Sequence, residues 1–192
     1  KSADQVELSA GWGGKQGGLI GTLGLKFNNF SLRNIFNKKA WSPLPTGDGQ
    51  QLTIRVESNG KRYQNFNFSF TEPWLGGKKP NAFTIATFHS RIQDISGTSV
   101  LGKQTTTGAS MSLGTRLKKP DDFFIVQASA NYYGYNLDHF RNRYFVGNTP
   151  LDSGKFNNLN FKIAISRNSI NQPIFPTGAA KVDASSQFTP PY

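Results

Sequence analysis

Eight stretches of this chain alternate an apolar residue with a small or polar one, each about a bilayer thick before a turn interrupts it. In the fourth, Phe66, Phe68 and Phe70 fall on one side and Asn65, Asn67, Ser69 and Thr71 on the other, because strand side chains repeat every two residues. The seventh sets Phe124, Val126, Ala128, Ala130 and Tyr132 against Gln127, Ser129, Asn131 and Tyr133. The sixth opposes Ala109, Met111, Leu113 and Leu117 to Ser110, Ser112, Gly114 and Arg116, and the third opposes Leu52, Ile54 and Val56 to Thr53, Arg55 and Glu57. Charge on the second face is costly in a dry core unless paired, so Arg55, Glu57, Arg116 and Lys162 are read as facing a wet lumen. The expected fold class is all-β, an antiparallel meander forming part of a transmembrane β-barrel.

Hydropathy does not argue against this. A mean hydropathy of −0.48 and the lack of any apolar run of 18 residues exclude a transmembrane helix, but alternating strands carry little net hydropathy even in lipid. Sixteen Phe, six Tyr and three Trp supply lipid-facing bulk and interface anchors. The absence of Cys removes thiol catalysis and most zinc sites. No signal peptide is visible at residues 1–8, so the chain is expected to begin after processing or to come from something longer.

Twenty-two basic and 11 acidic residues give a net charge of +11. The cations sit at turns: Lys38 with Lys39, Lys78 with Lys79 and Lys118 with Lys119 at alternate ones, Lys61 with Arg62 and Arg141 with Arg143 between them. They ring both ends, where they either meet anionic lipid head groups or are simply solvated. No motif of a nucleic-acid fold accompanies them, so nucleic acid is not an expected partner.

The strands are expected at 5–13, 18–28, 50–58, 62–71, 82–91, 105–117, 122–135 and 155–167, with a ninth from near Ala180. Turn signals separate them: Gly13-Gly14 with Gly17-Gly18, Ser58-Asn59-Gly60, Gly76-Gly77, Gly97, Lys119-Pro120-Asp121, Gly147-Asn148 and Pro176-Thr177-Gly178. Connections this short join antiparallel neighbours. Two are longer. Residues 29–49 have room for one helical turn capped by Ser31 before Pro43 and Pro45 break it. Residues 136–154 read as a surface loop able to fold over the mouth of the barrel.

The sequence carries no catalytic constellation. His89 and His139 lie 50 residues apart with no ligand spacing around them. Asp121-Asp122 follows Lys-Lys-Pro and reads as a turn former. Gly11-Trp12-Gly13-Gly14 with Gly17-Gly18 lacks both the following helix and the Lys-Ser/Thr pair of a P-loop. The chain is expected not to be an enzyme and to need no cofactor.

Three segments, in this order, resemble the barrel of the BamA family of outer-membrane protein assembly factors. The first is Val6-Glu7-Leu8-Ser9-Ala10-Gly11-Trp12-Gly13, a Gly-bearing hairpin, then Gly21-Thr22-Leu23-Gly24-Leu25-Lys26-Phe27-Asn28-Asn29-Phe30. The second is Phe68-Ser69-Phe70-Thr71-Glu72-Pro73-Trp74. The third is Ser166-Arg167-Asn168-Ser169-Ile170-Asn171-Gln172-Pro173-Ile174-Phe175-Pro176-Thr177-Gly178. The resemblance implies the first eight to nine strands of a sixteen-stranded barrel, with residues 1–192 as its N-terminal half. The family's POTRA modules, the second half of the barrel and its Arg-Gly-Phe/Tyr loop are not in this sequence. Physics independently suggests an incomplete barrel. Nine strands break the even count of single-chain bacterial barrels, and an open edge in lipid leaves N–H and C=O groups unsatisfied at several kcal/mol each. The ending Gln187-Phe188-Thr189-Pro190-Pro191-Tyr192 suits no closing strand, since adjacent prolines cannot donate to a ladder.

The same resemblance implies a function: assembly of client β-barrel proteins into the bacterial outer membrane. In the family the first strand meets the last at a weak seam, and a client's terminal strand adds to it by main-chain pairing. The residues implied are Val6, Glu7, Leu8, Ser9, Ala10, Gly11, Trp12 and Gly13. Gly11, Gly13 and Gly14 either ease opening of the seam or merely shape a hairpin. The implied partners are client barrel proteins, outer-membrane lipids, the remainder of the barrel, and periplasmic accessory lipoproteins meeting the turns at 31–46, 73–80 and 168–178. Two other readings stay open. A pore or anchor barrel would close at eight strands and use Arg55, Glu57, Arg116 and Lys162 for selectivity. A soluble sandwich would bury the Phe66, Phe68 and Phe70 face.

Overall fold

A computed structural model describes residues 4–13, 18–77, 79–140, 144–146, 149–169 and 180–191. Eleven strands form among the described residues: β1 Gln5–Trp12, β2 Leu19–Phe30, β3 Gln50–Ser58, β4 Tyr63–Glu72, β5 Ala82–Ser96, β6 Ser99–Arg116, β7 Phe124–Asp138, β8 Tyr144–Val146, β9 Thr149–Leu151, β10 Gly154–Asn168 and β11 Lys181–Phe188. Nine of them make one antiparallel meander in the order β1-β2-β3-β4-β5-β6-β7-β10-β11, and β8 and β9 pair separately. Among the described residues β1 and β11 are both edges, so the sheet is not closed. An eight-stranded closed pore does not fit that topology.

Register converts the alternation into two continuous faces. Phe27, Leu52, Phe70, Ile85, Met111, Ala130, Phe161 and Phe188 are successive cross-strand partners from β2 to β11. Lys26, Thr53, Ser69, Ala86, Ser110, Asn131 and Asn160 form the neighbouring row, which points the other way. Among the described residues few apolar side chains are buried: Phe30, Pro45, Leu52, Leu137 and Phe140. Phe66 and Phe68 remain 47% and 42% exposed. Among the described residues no second sheet covers their face, contrary to a sandwich. A face this large and greasy needs an apolar surrounding.

The expected strands form, with three extensions that the alternation conceals. β2 runs on to Phe30 because an extra residue enters it between Phe27 and Phe30. β5 and β6 continue well past Arg91 and begin well before Thr105, meeting at a tight turn where Gly97 takes φ +60°. There Asp94 pairs with Gly102 and Ile95 with Val100, so Leu101 is a bulge that flips the apolar phase. The segment expected to be loop from residue 136 begins as strand up to Asp138 and carries the β8–β9 hairpin.

In the connection from β2 to β3, the helical turn takes the tight 3-10 form at Arg33–Phe36, and a second follows at Lys38–Ala40. Ser31 is fully buried. Its Oγ accepts from the Asn34 N–H at 3.1 Å and donates to Asp48 at 2.6 Å, while its N–H donates to the Pro45 carbonyl at 2.8 Å. The meander places the connections β2–β3, β4–β5, β6–β7 and β10–β11 at one end of the sheet and the others at the opposite end. Lys38, Lys39, Lys79, Lys118 and Lys119 therefore share one end, with Lys61 and Arg62 at the other. Lys78, Arg141, Arg143, Gly14, Gly17, Gly147-Asn148 and Pro176-Thr177-Gly178 lie outside the described residues.

Candidate functional site

The first strand, like β11 at the other edge, pairs on one side only and is exposed along its whole length. All eight of its residues are exposed, and its ladder runs from Gln5↔Lys26 to Trp12↔Leu19 on β2 alone. In an antiparallel strand alternate residues turn their N–H and C=O toward the partner. The other half of β1's main-chain groups therefore points off the sheet. Val6, Leu8, Ala10 and Trp12 lie on the apolar face and Gln5, Glu7, Ser9 and Gly11 on the inner one. Val6, Leu8 and Trp12 are 73%, 81% and 74% exposed, so side-chain packing adds little to the ladder. Gly13 falls just beyond the strand, its N–H donating to the Gly18 carbonyl at 2.7 Å to close the hairpin.

The glycines divide by role. Gly18 takes φ +64°, a conformation that the hairpin requires and that other residues resist. A Cβ on Gly11 would meet nothing within 4 Å and its φ is ordinary, so hairpin geometry does not demand glycine there.

The four inner-face charges are on one face but not in one cluster. Arg55 and Glu57 of β3 meet directly, Nε to Oε1 at 2.8 Å, and Arg55 also reaches Glu7 Oε2 of β1 at 3.3 Å. Glu57 additionally accepts from the Tyr63 hydroxyl at 3.1 Å and from Asn65 Nδ2 at 3.3 Å. Arg116 of β6 lies apart, in a concavity of about 580 Å³ shared with Trp74, Thr84, Ser112 and Gln127. Lys162 of β10 lies in another of about 430 Å³ with Ser129, Asn131, Tyr133 and Asn160. Asn131 Nδ2 donates to Asn160 Oδ1 at 3.0 Å beside it.

Phe30, which closes the first of the segments that carried the resemblance, and Phe70, Glu72 and Trp74 of the second are built into the end of the sheet that holds the Ser31 loop. Phe30 packs edge-on against Phe70, with ring centroids 6.1 Å apart. Glu72 accepts from the Trp74 N–H at 2.9 Å and from Gln50 Nε2 at 2.7 Å, and Gln50 Oε1 accepts from the Leu32 N–H at 2.7 Å. The acidic-Pro-aromatic motif thus ties the ends of β3 and β4 to the Ser31 loop. Residues 170–178 of the third segment lie outside the described residues.

Other candidates resolve into ordinary structure. His89 shares a 3.0 Å hydrogen bond with Thr107. His139 pairs with its neighbour Asp138 at 2.7 Å. Asp121 accepts from the Phe123 N–H at 3.0 Å, as a turn former does, and also pairs with Arg167 at 2.9 Å. Sequence reasoning missed an aromatic cluster on the inner face, in which Phe88 meets Tyr133 at 6.1 Å and Tyr133 stacks on Tyr135 at 6.5 Å.

A meander with one apolar face, one polar and charged face and two bare edges has the form of a section of a β-barrel wall. The chain belongs to the Omp85 superfamily, whose domain matches residues 46–192. Its fold is similar to that of BamA from Haemophilus ducreyi lacking POTRA domains 1–3, with a TM-score of 0.56 and 17% sequence identity over 97% of this chain. The chain covers 39% of the length of that structure. It is a partial barrel of the BamA kind. No curated protein matches it in sequence.

Proposed function

We propose that this chain forms the first part of the barrel of an assembly factor that inserts β-barrel proteins into the bacterial outer membrane, with β1 as the strand on which client strands pair. The observation that carries the reading is the state of β1: paired on one side, exposed at every residue and joined to the sheet by eight register pairs. Main-chain pairing accepts many client sequences because the side chains do not supply the affinity. Completing a client's hydrogen bonds before it meets lipid removes a cost of several kcal/mol for each unsatisfied group. Transfer of its apolar side chains into lipid adds about 25 cal/mol per Å². No cofactor is required, and the chain is not an enzyme on this reading. Clients, outer-membrane lipids and the remainder of the barrel are the partners, with periplasmic accessory lipoproteins meeting the end formed by residues 31–46, 73–80 and 168–178.

Proline substitution separates backbone from side chain. Ser9 and Ala10 are adjacent, so one N–H faces β2 and the other points off the sheet. Ser9→Pro or Ala10→Pro is expected to slow client insertion by the intact protein in reconstituted membranes by about tenfold or more. Ser9→Ala and Ala10→Ser, which keep the N–H, are expected to stay close to the parent rate. Equal rates across all four variants would contradict templating by β1.

A further inference from the structure

We propose that Arg55 is the positioning residue for the first strand, a clasp that holds β1 on β2 through Glu7 and sets how readily that edge separates. Glu7 pairs in register with Gly24 of β2, and Gly24 pairs in register with Arg55 of β3. The three residues form one row on the inner face, and the middle one has no side chain. A Cβ at position 24 would lie 3.2 Å from both Cβ and Oε2 of Glu7. The glycine thus leaves the gap through which a carboxylate on β1 meets a guanidinium two strands away, at 3.3 Å.

The guanidinium is braced from behind. Glu57 holds Arg55 Nε at 2.8 Å and is itself held by Tyr63 and Asn65 of β4. Arg55 therefore links the edge strand to two strands of the sheet interior. A second tie, the Asn28 N–H donating to Asp4 Oδ1 at 2.9 Å, lies at the start of the strand. Between that point and the hairpin, the clasp grips β1 in a stretch whose apolar side chains pack against little.

The ion pair is half-exposed, with side chains 41% and 50% accessible, so its strength is modest and falls with added salt. Such a contact keeps the strand in register without locking it to the sheet. The bearing of the clasp on client pairing rests on the reading of β1 given above; its effect on the strand itself does not.

Hydrogen exchange of the intact protein in detergent, read on peptides covering β1 and on peptides covering β5 to β7, tests it. Glu7→Gln and Arg55→Met are each expected to speed exchange in β1 about threefold, to do no more together than singly, and to leave β5 to β7 unchanged. Exchange in parental β1 is expected to rise with ionic strength, and that rise to vanish in Arg55→Met. Unchanged β1 exchange, additive effects of the two substitutions, or a parental β1 insensitive to salt would overturn the proposal. If β1 loosens as expected while Ser9→Pro and Ala10→Pro leave insertion intact, the clasp stands and the template reading falls.

Discussion

Gly108 of β6 lies beneath the ring of its register partner, Phe88 of β5, and a Cβ there would run into the ring edge. The ring in turn packs on Tyr133, and Tyr133 on Tyr135. Gly108→Val is expected to displace Phe88 and to lower the stability of the folded protein by about 1–3 kcal/mol in urea unfolding. Adding Phe88→Ala is expected to cost less than the sum of the two single changes, because the clash goes with the ring. The alternation in the sequence assigns residues to faces but does not say which residue across the sheet each one meets. That is why the pairing of Gly108 with Phe88, and the row from Glu7 through Gly24 to Arg55, were not legible. Each needs the register of two or three strands at once, and Gly24 carries no chemistry to betray its place. That Arg55 and Glu57 share the polar face of β3 was legible because two positions of one strand suffice to show it.

β4 shows what a single element can reveal. Its Phe and Asn-Ser-Thr sides were readable from the period of two, and its register with β3 and β5 keeps those sides apart. In the membrane setting proposed for the chain, Phe68→Lys places a charge in lipid near mid-strand and is expected to cost about 2–4 kcal/mol of folding stability in bilayers. Asn67→Lys, one residue away on the inner face, is expected to cost much less. Equal costs would place both faces in the same environment. The β5–β6 hairpin was less legible than β4 because the bulge at Leu101 shifts the period by one residue and makes strand read as loop. In the Ser31 loop, the capping hydroxyl was visible from sequence, whereas its bond to Asp48, 17 residues on, was not.

For the molecule as a whole, short connections between alternating stretches were enough to anticipate a meander, because antiparallel neighbours are what a short turn can join. That the sheet remains open, with β1 and β11 as edges among the described residues, follows from the pairing itself. The functional weight placed on β1 came from ordered motifs and from this exposed edge, since main-chain pairing leaves no signature in side chains. The central claim is that client strands pair on β1. Its most direct test places a photoreactive residue at each position of Gln5–Trp12 in the intact protein during client insertion, with positions on the central strand β5 as controls. Adducts are expected from β1 to one client strand in constant register, advancing one client residue for each residue of β1, and none from β5. Adducts missing from β1, or scattered over the client without register, would contradict it.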